Sequence, residues 1–137
     1  MIGLASESNH AWLADHGIVG VTYGDGVADR IRAAAPGGVG AFIDAFGDGY
    51  VDLALGLGVA KDRVDTVIDF AAAARTGVKT AGNADSARAD VLDELAKLVA
   101  AGELDVPVAA TYPLTEVRAA YRQLMLRHTR GKIVLMP

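Results

Sequence analysis

The stretch Gly38-Val39-Gly40-Ala41-Phe42-Ile43-Asp44-Ala45-Phe46-Gly47 limits the fold most. A Pro36-Gly37-Gly38 turn leads into it, and Asp44 and Phe46-Gly47 close it. Short and apolar on both faces, the run reads as a buried strand of a parallel sheet. Strand-like and helix-like pieces alternate before it and through most of the chain after it, the pattern of an α/β fold. In an open α/β sheet, ligands bind outside the carboxyl ends of the strands. Asp44 to Gly47 is therefore the first place to look for a small-molecule contact.

Upstream, Met1 to Ala5 is a short apolar run. Ser6 or Ser8 is suited to cap a helix over Glu7 to His16, which Gly17 stops. Ile18 to Tyr23 is rich in β-branched residues and reads as a strand. Asp25 is placed to cap a helix whose inner face carries Val27, Ile31 and Ala34. Downstream, Asp48 is placed to cap a helix with Val51, Ala54 and Leu55 on one side, and Gly56 and Gly58 weaken its end. Arg63 to Ile68 reads equally as strand or helix. A short helix over Ala71 to Ala74 and a short strand over Gly77 to Gly82 come next. Asp85 to Ala101 is the clearest helix, its stripe formed by Val91, Leu92, Leu95, Leu98 and Val99. The chain then runs extended through Val106 to Thr111. A second amphipathic helix carries Leu114, Val117, Tyr121, Leu124 and Met125, and Lys132 to Met136 makes a last strand.

The totals exclude several functions. The 137 residues suit one core, and 52% hydrophobic composition is that of a folded chain. A net charge of −4 without a basic block argues against nucleic acid as a partner. With no cysteine, thiolate zinc sites and disulfides are ruled out, and His10, His16 and His128 are too scattered for a ligand set. No run is long enough to span a membrane, and no signal pattern stands at the start, so a cytoplasmic protein is expected.

The order of pieces resembles the C-terminal portion of a medium-chain dehydrogenase/reductase of the zinc-free quinone-oxidoreductase type. Ile2-Gly3-Leu4-Ala5-Ser6 resembles the end of the second Rossmann strand, Thr22-Tyr23 the third, and Phe42-Ile43-Asp44-Ala45-Phe46-Gly47 the fourth and its loop. Ala110-Thr111-Tyr112-Pro113-Leu114, Ala119-Ala120-Tyr121 and Gly131-Lys132-Ile133-Val134-Leu135 resemble the closing signature. The resemblance implies a Rossmann-like α/β fold, a mostly parallel sheet with flanking helices. Residues 1–82 would be a partial nucleotide-binding domain and 83–137 the returning segment of a catalytic domain. It implies hydride transfer from NADPH to a quinone or enone-type carbonyl compound as the small-molecule substrate. It also implies a homodimer through the 77–82 edge strand. The alternative is a truncated, non-catalytic module that acts in association only.

Two departures qualify that picture. No G-x-G-x-x-G precedes a helix, and the N-terminal catalytic domain has no counterpart here; Lys61-Asp62 also replaces the usual glycine turn before the fifth strand. The strand order 3-2-1-4-5-6 puts the absent first strand at the centre. Strands 2 and 4 would each keep an unpaired inner edge, at roughly 1–3 kcal/mol for every buried unpaired backbone group. A preceding segment, a partner chain, direct pairing of strands 2 and 4, or the last strand turned inward would have to fill the gap. The isolated chain is expected to be inactive and to bind NADP weakly or not at all.

By the resemblance, the cofactor contacts are Ser6, His10, Tyr23, Phe46 and Gly47. Ser6 and His10 would meet the 2′-phosphate; the plainer reading is a helix cap and a surface histidine. Tyr23 either stacks near the adenine or packs on the sheet. Phe46 and Gly47 either admit the ribose to the backbone or form an ordinary strand-to-helix turn. Asp44 is better read as bonded to nearby amides than as a base. Asp65 and Asp69, four apart, suit a helix surface, and Arg127, His128, Arg130 and Lys132 form a solvated basic cluster. No catalytic group is identified and no metal site is expected.

Overall fold

The computed structural model describes residues 1–82 and 86–137. It divides into two compact units, Met1–Ser86 and Ala87–Pro137. No described helix is long and apolar enough to cross a membrane.

Unit 1 contains two parallel strand pairs with helices between. Strand β1 (Ile2–Leu4) leads through a 3-10 turn (Glu7–Asn9) into α1 (His10–Asp15), and β2 (Val19–Val21) pairs with β1. Helix α2 (Val27–Ala34) buries Ile31 of its apolar stripe and precedes β3 (Phe42–Asp44). Then come α3 (Tyr50–Gly56), β4 (Val64–Thr66), which pairs with β3, and α4 (Phe70–Thr76). The region left open between strand and helix, 63–68, holds a strand at its centre, Val64–Thr66, after a 3-10 turn over Lys61–Arg63. Its alternation puts Val64 and Thr66 inward at 0% exposure. The core of the unit is Val51 and Ala54 of α3, Val64, Ala72 and Ala73 of α4, and Val59 and Val78.

Hydrogen bonds show which way each strand faces. Val19 donates its amide to Met1 O and Ala5 donates to Val21 O, so alternate residues Met1, Gly3 and Ala5 turn toward β2. Ile2 and Leu4 turn their backbone groups the other way. Val67 donates to Asp44 O, so Asp44 faces β4 and Ile43 faces away. Among the described residues β1 and β3 share no ladder, and the last strand, Lys132–Met136, pairs with Val108–Pro113. Neither direct pairing of the two inner strands nor an inward last strand fills the place of the missing strand. The 38–45 run is not buried on both faces: Ile43 is 77% exposed, because nothing described covers that side.

Three local expectations change. Gly26, not Asp25, is the N-cap of α2, and the Asp25 carbonyl is held instead by Arg30. Gly49, not Asp48, caps α3: the chain turns through two left-handed residues, Asp48 at φ 54° and Gly49 at φ 85°, which moves the cap one residue on. Residues 77–82 form a single parallel bridge, Asp65 to Lys79, rather than a strand.

Unit 2 holds α5 (Ala89–Ala100), β5 (Val108–Pro113), a 3-10 turn (Leu114–Glu116), α6 (Val117–Met125) and β6 (Lys132–Met136), with β5 and β6 parallel. The expected start of the first helix, Asp85, lies outside the described residues. Helix α6 packs on both strands through Val117 and Ala120, a stripe rotated from the expected one; Tyr121, Leu124 and Met125 are exposed. Tyr112 Oη donates to Gln123 Oε1 at 2.5 Å, tying β5 to α6.

Candidate functional site

The most connected polar group in unit 1 is at the C-terminal ends of β3 and β4. Asp44 is 2% exposed. Its Oδ1 accepts from the amides of Phe46 (3.0 Å) and Gly47 (2.8 Å). Its Oδ2 accepts from Thr66 Oγ1 at 2.8 Å. Thr66 Oγ1 in turn accepts from the amides of Ile68 (3.3 Å) and Asp69 (2.9 Å), and Asp69 Oδ1 caps α4 through Ala72 N at 2.9 Å. One carboxylate and one hydroxyl thereby fix two strand-to-helix turns. Three donors occupy Asp44, which leaves it an orienting role and not that of a base. Asp65 and Asp69 do not share a helix face: Asp65 lies on β4 and accepts from Ala81 N at 2.9 Å.

Gly47, at φ 84°, follows the exposed Phe46, whose ring meets Tyr50 edge-on at 5.7 Å between centroids. Burial pushes the Tyr50 phenol above its usual pKa, and Asp48, Tyr23 and Asp44 add to the shift. Tyr23, at the end of β2, is thus an electrostatic neighbour of Tyr50, beyond the end of β3. Arg30 positions Tyr23: its guanidinium donates to the carbonyls of Thr22 (2.8 Å), Asp25 (2.8 Å), Tyr23 (3.2 Å) and Gly24 (3.3 Å).

At the end of β1, Ser6 Oγ accepts from Asn9 Nδ2 at 3.0 Å and shares a 3.0 Å hydrogen bond with Ser8 Oγ. Ser6 makes no side-chain cap bond. His10 turns back onto the sheet, with Nε2 3.3 Å from Ala5 O. A Cβ at Gly20 would lie 2.7 Å from the His10 ring, so only glycine lets the ring cover β2 there. The structure brings Phe46 and Gly47 together on the Asp44 staple, sets Tyr23 as an electrostatic neighbour of Tyr50, and commits His10 to the backbone.

Thr66, Arg30 and Tyr50 were not singled out in the sequence. Thr66 stands 22 residues from Asp44, with no local pattern joining them. Arg30 follows the Gly24-Asp25-Gly26 turn closely, a placement from which a long cation reaches the turn's carbonyls.

The site offers amides, hydroxyls and aromatic faces. A family model described as zinc-binding dehydrogenase matches residues 7–135. The chain belongs to that zinc-binding dehydrogenase family. It is a dehydrogenase-type oxidoreductase domain of Rossmann-like α/β fold, and the family usually binds a nicotinamide cofactor. No curated protein matches the chain. The donor set does not fit the zinc of the family's description. The chain has no cysteine, and the described residues hold no group of three or more metal-ligating side chains.

Proposed function

We propose that the chain is the larger part of the cofactor-binding portion of a zinc-free, NADPH-dependent oxidoreductase of the quinone-oxidoreductase type. The acceptor would be a quinone or an enone-type carbonyl compound. The observation that carries the reading is the pinned turn after β3, where Asp44 fixes the amides of Phe46 and Gly47. A ribose can approach a backbone that has no side chain at position 47. Ser6 would contribute a hydroxyl to the 2′-phosphate and Tyr23 a ring to the adenine, while His10 would have to leave Ala5 O to join them. When bound, the reduced nicotinamide supplies a hydride; these residues hold and orient it. The proton that completes the reduced acceptor comes from solvent in this reading.

The reading divides the chain at 82/83, into a partial nucleotide-binding domain and a returning catalytic-domain segment. It also makes 77–82 a homodimer edge. Lys79 turns its amide and carbonyl toward β4, so alternation turns those of Thr80 outward. Thr80→Pro probes that edge better than a change at Val78, whose side chain is in the core.

The chain lacks the glycine-rich loop whose helix N-terminus holds a pyrophosphate. Calorimetry on the 137-residue chain is therefore expected to show weak or undetectable NADPH binding, and a micromolar dissociation constant would contradict this. Ligand-observed NMR tests the nucleoside end. Adenosine 2′,5′-bisphosphate should bind in preference to 5′-AMP, and Ser6→Ala should abolish the preference. Equal signals from both nucleotides would reject the NADP assignment. The second reading, a module acting only in association, predicts that neither nucleotide binds.

A further inference from the structure

Gly-Asp-Gly occurs twice in the chain, at 24–26 and at 47–49. The bond between aspartate and glycine is open to internal attack, because glycine has no Cβ to shield its nitrogen from the aspartate side chain. Both Asp-Gly pairs are exposed, and each forms the centre of a four-residue turn. The first turn closes through Val27 N to Gly24 O at 3.0 Å, the second through Tyr50 N to Gly47 O at 3.3 Å. By local sequence alone the two bonds would behave alike.

The fold holds them differently. Arg30 Nη1 donates to Asp25 O at 2.8 Å, and the same guanidinium reaches the carbonyls of Thr22, Tyr23 and Gly24. Asp25 O belongs to the peptide unit that joins Asp25 to Gly26. A charge-assisted hydrogen bond thus fixes the plane that has to rotate for the attack. The matching unit at 48–49 is not held. Among the described residues Asp48 O, Gly49 N and the Asp48 carboxylate have no hydrogen-bond or ion-pair partner. Asp48 also stands at φ 54°, a conformation that crowds any residue with a Cβ.

We propose that the bond between Asp48 and Gly49 is a site of spontaneous isoaspartate formation, and that the Arg30 clamp protects the bond between Asp25 and Gly26 from the same reaction. Gly49 N attacks Cγ of the protonated Asp48 carboxyl. A C–N bond forms, a Cγ–O bond breaks, and the hydroxyl leaves with the amide proton as water. Water then adds to the main-chain carbonyl carbon of the cyclic imide and breaks its bond to nitrogen. The chain now runs through Cγ and is longer by a methylene, and the former main-chain carbonyl is the free carboxylate. Mass is unchanged, and water is the sole co-reactant. The added methylene falls inside the turn that Tyr50 N and Gly47 O close, beside the Gly47 amide that Asp44 holds. The inference is independent of the cofactor reading.

Prolonged warm incubation of the full chain at neutral pH tests it. Isoaspartate is counted by methyl transfer from labelled S-adenosylmethionine with an isoaspartyl methyltransferase and located by fragmentation of tryptic peptides. Peptides 1–30 and 33–61 carry one Gly-Asp-Gly each. In the native chain the product should form at Asp48 about tenfold or more faster than at Asp25, the factor that one charge-assisted hydrogen bond is worth. In guanidinium chloride the two rates should converge, because the clamp is gone. Arg30→Ala, verified as folded by circular dichroism, should raise the Asp25 rate in the native chain about tenfold and leave the Asp48 rate unchanged. Equal rates in the native chain, a difference that survives in denaturant, or an Asp25 rate that Arg30→Ala does not move, would overturn the proposal.

Discussion

Of the described apolar side chains that are buried, ten lie in residues 1–86 and one, Ala120, lies in residues 87–137. Both units are built of parallel strand pairs and helices, so the difference is not one of secondary structure. In unit 1, α3 and α4 bring Val51, Ala54, Ala72 and Ala73 onto Val64, and the strand ends are locked by Asp44 and Thr66. In unit 2 a single helix, α6, covers one parallel pair, and α5, the longest described helix, has no fully buried residue. Parallel pairs persist when both faces are covered, and two strands alone are marginal. Unit 1 has a core of its own, whereas unit 2 leaves most of its described apolar side chains exposed or half-buried.

The largest effect that tests this contrast is expected at Asp44. Asp44→Ala leaves the amides of Phe46 and Gly47 and the Thr66 hydroxyl without their acceptor, at a cost of about 3–5 kcal/mol. Urea unfolding followed through Trp12, the sole tryptophan and a reporter in unit 1, measures it. A loss below about 1 kcal/mol would show that water replaces the staple. Next is a matched pair. Val51→Ala removes a side chain with no exposure and should cost about 2 kcal/mol, while Leu92→Ala should stay within about 0.5 kcal/mol in the monomer. Equal costs would mean that unit 2 has a core after all.

The range of each interaction decides how much of the fold is legible in the sequence. Strand β6 falls on the expected residues, Lys132–Met136, because its signal is local: a β-branched and apolar run after a glycine. The α5 stripe is legible for the same reason, but its burial is not, since periodicity states which face is apolar and not what meets it. The capping errors at Asp25 and Asp48 have one cause. Each aspartate is followed by a glycine that takes the left-handed turn and becomes the cap. The expectation that Asp44 is bonded to amides needs only neighbours two and three residues on. Its bond to Thr66 needs the β3–β4 register, which no window of sequence contains.

Arg30 gives a smaller effect within unit 1. Arg30→Ala releases four loop carbonyls on a partly exposed turn and should cost about 1 kcal/mol. By loosening Tyr23 it should also weaken any adenosine nucleotide binding more than it lowers stability. Thermal unfolding and ligand-observed NMR on the same sample separate the two. If binding is unchanged while stability falls, Tyr23 does not contact the ligand.

The smallest effect is one of pH and resides in Tyr50. Burial raises its phenol above the unfolded value, with Asp48, Tyr23 and Asp44 acting in the same direction. A group whose folded pKa is raised binds its proton more tightly in the native chain. Its contribution is therefore fully present below the unfolded tyrosine pKa of about 10 and is lost as pH rises through the folded value. Tyr50→Phe removes this titration but keeps the ring against Phe46. Parent and variant should thus differ by a constant amount at neutral pH, and the parent should lose more stability than the variant above about pH 10. Denaturant midpoints at a series of pH values, read as parent minus variant, isolate the residue from every other group that titrates there. A difference that stays flat through the alkaline range would show that Tyr50 is solvated in the folded chain. The turn after β3 would then be held by Asp44 alone, and the aromatic side of the site would be as open as the helices of unit 2.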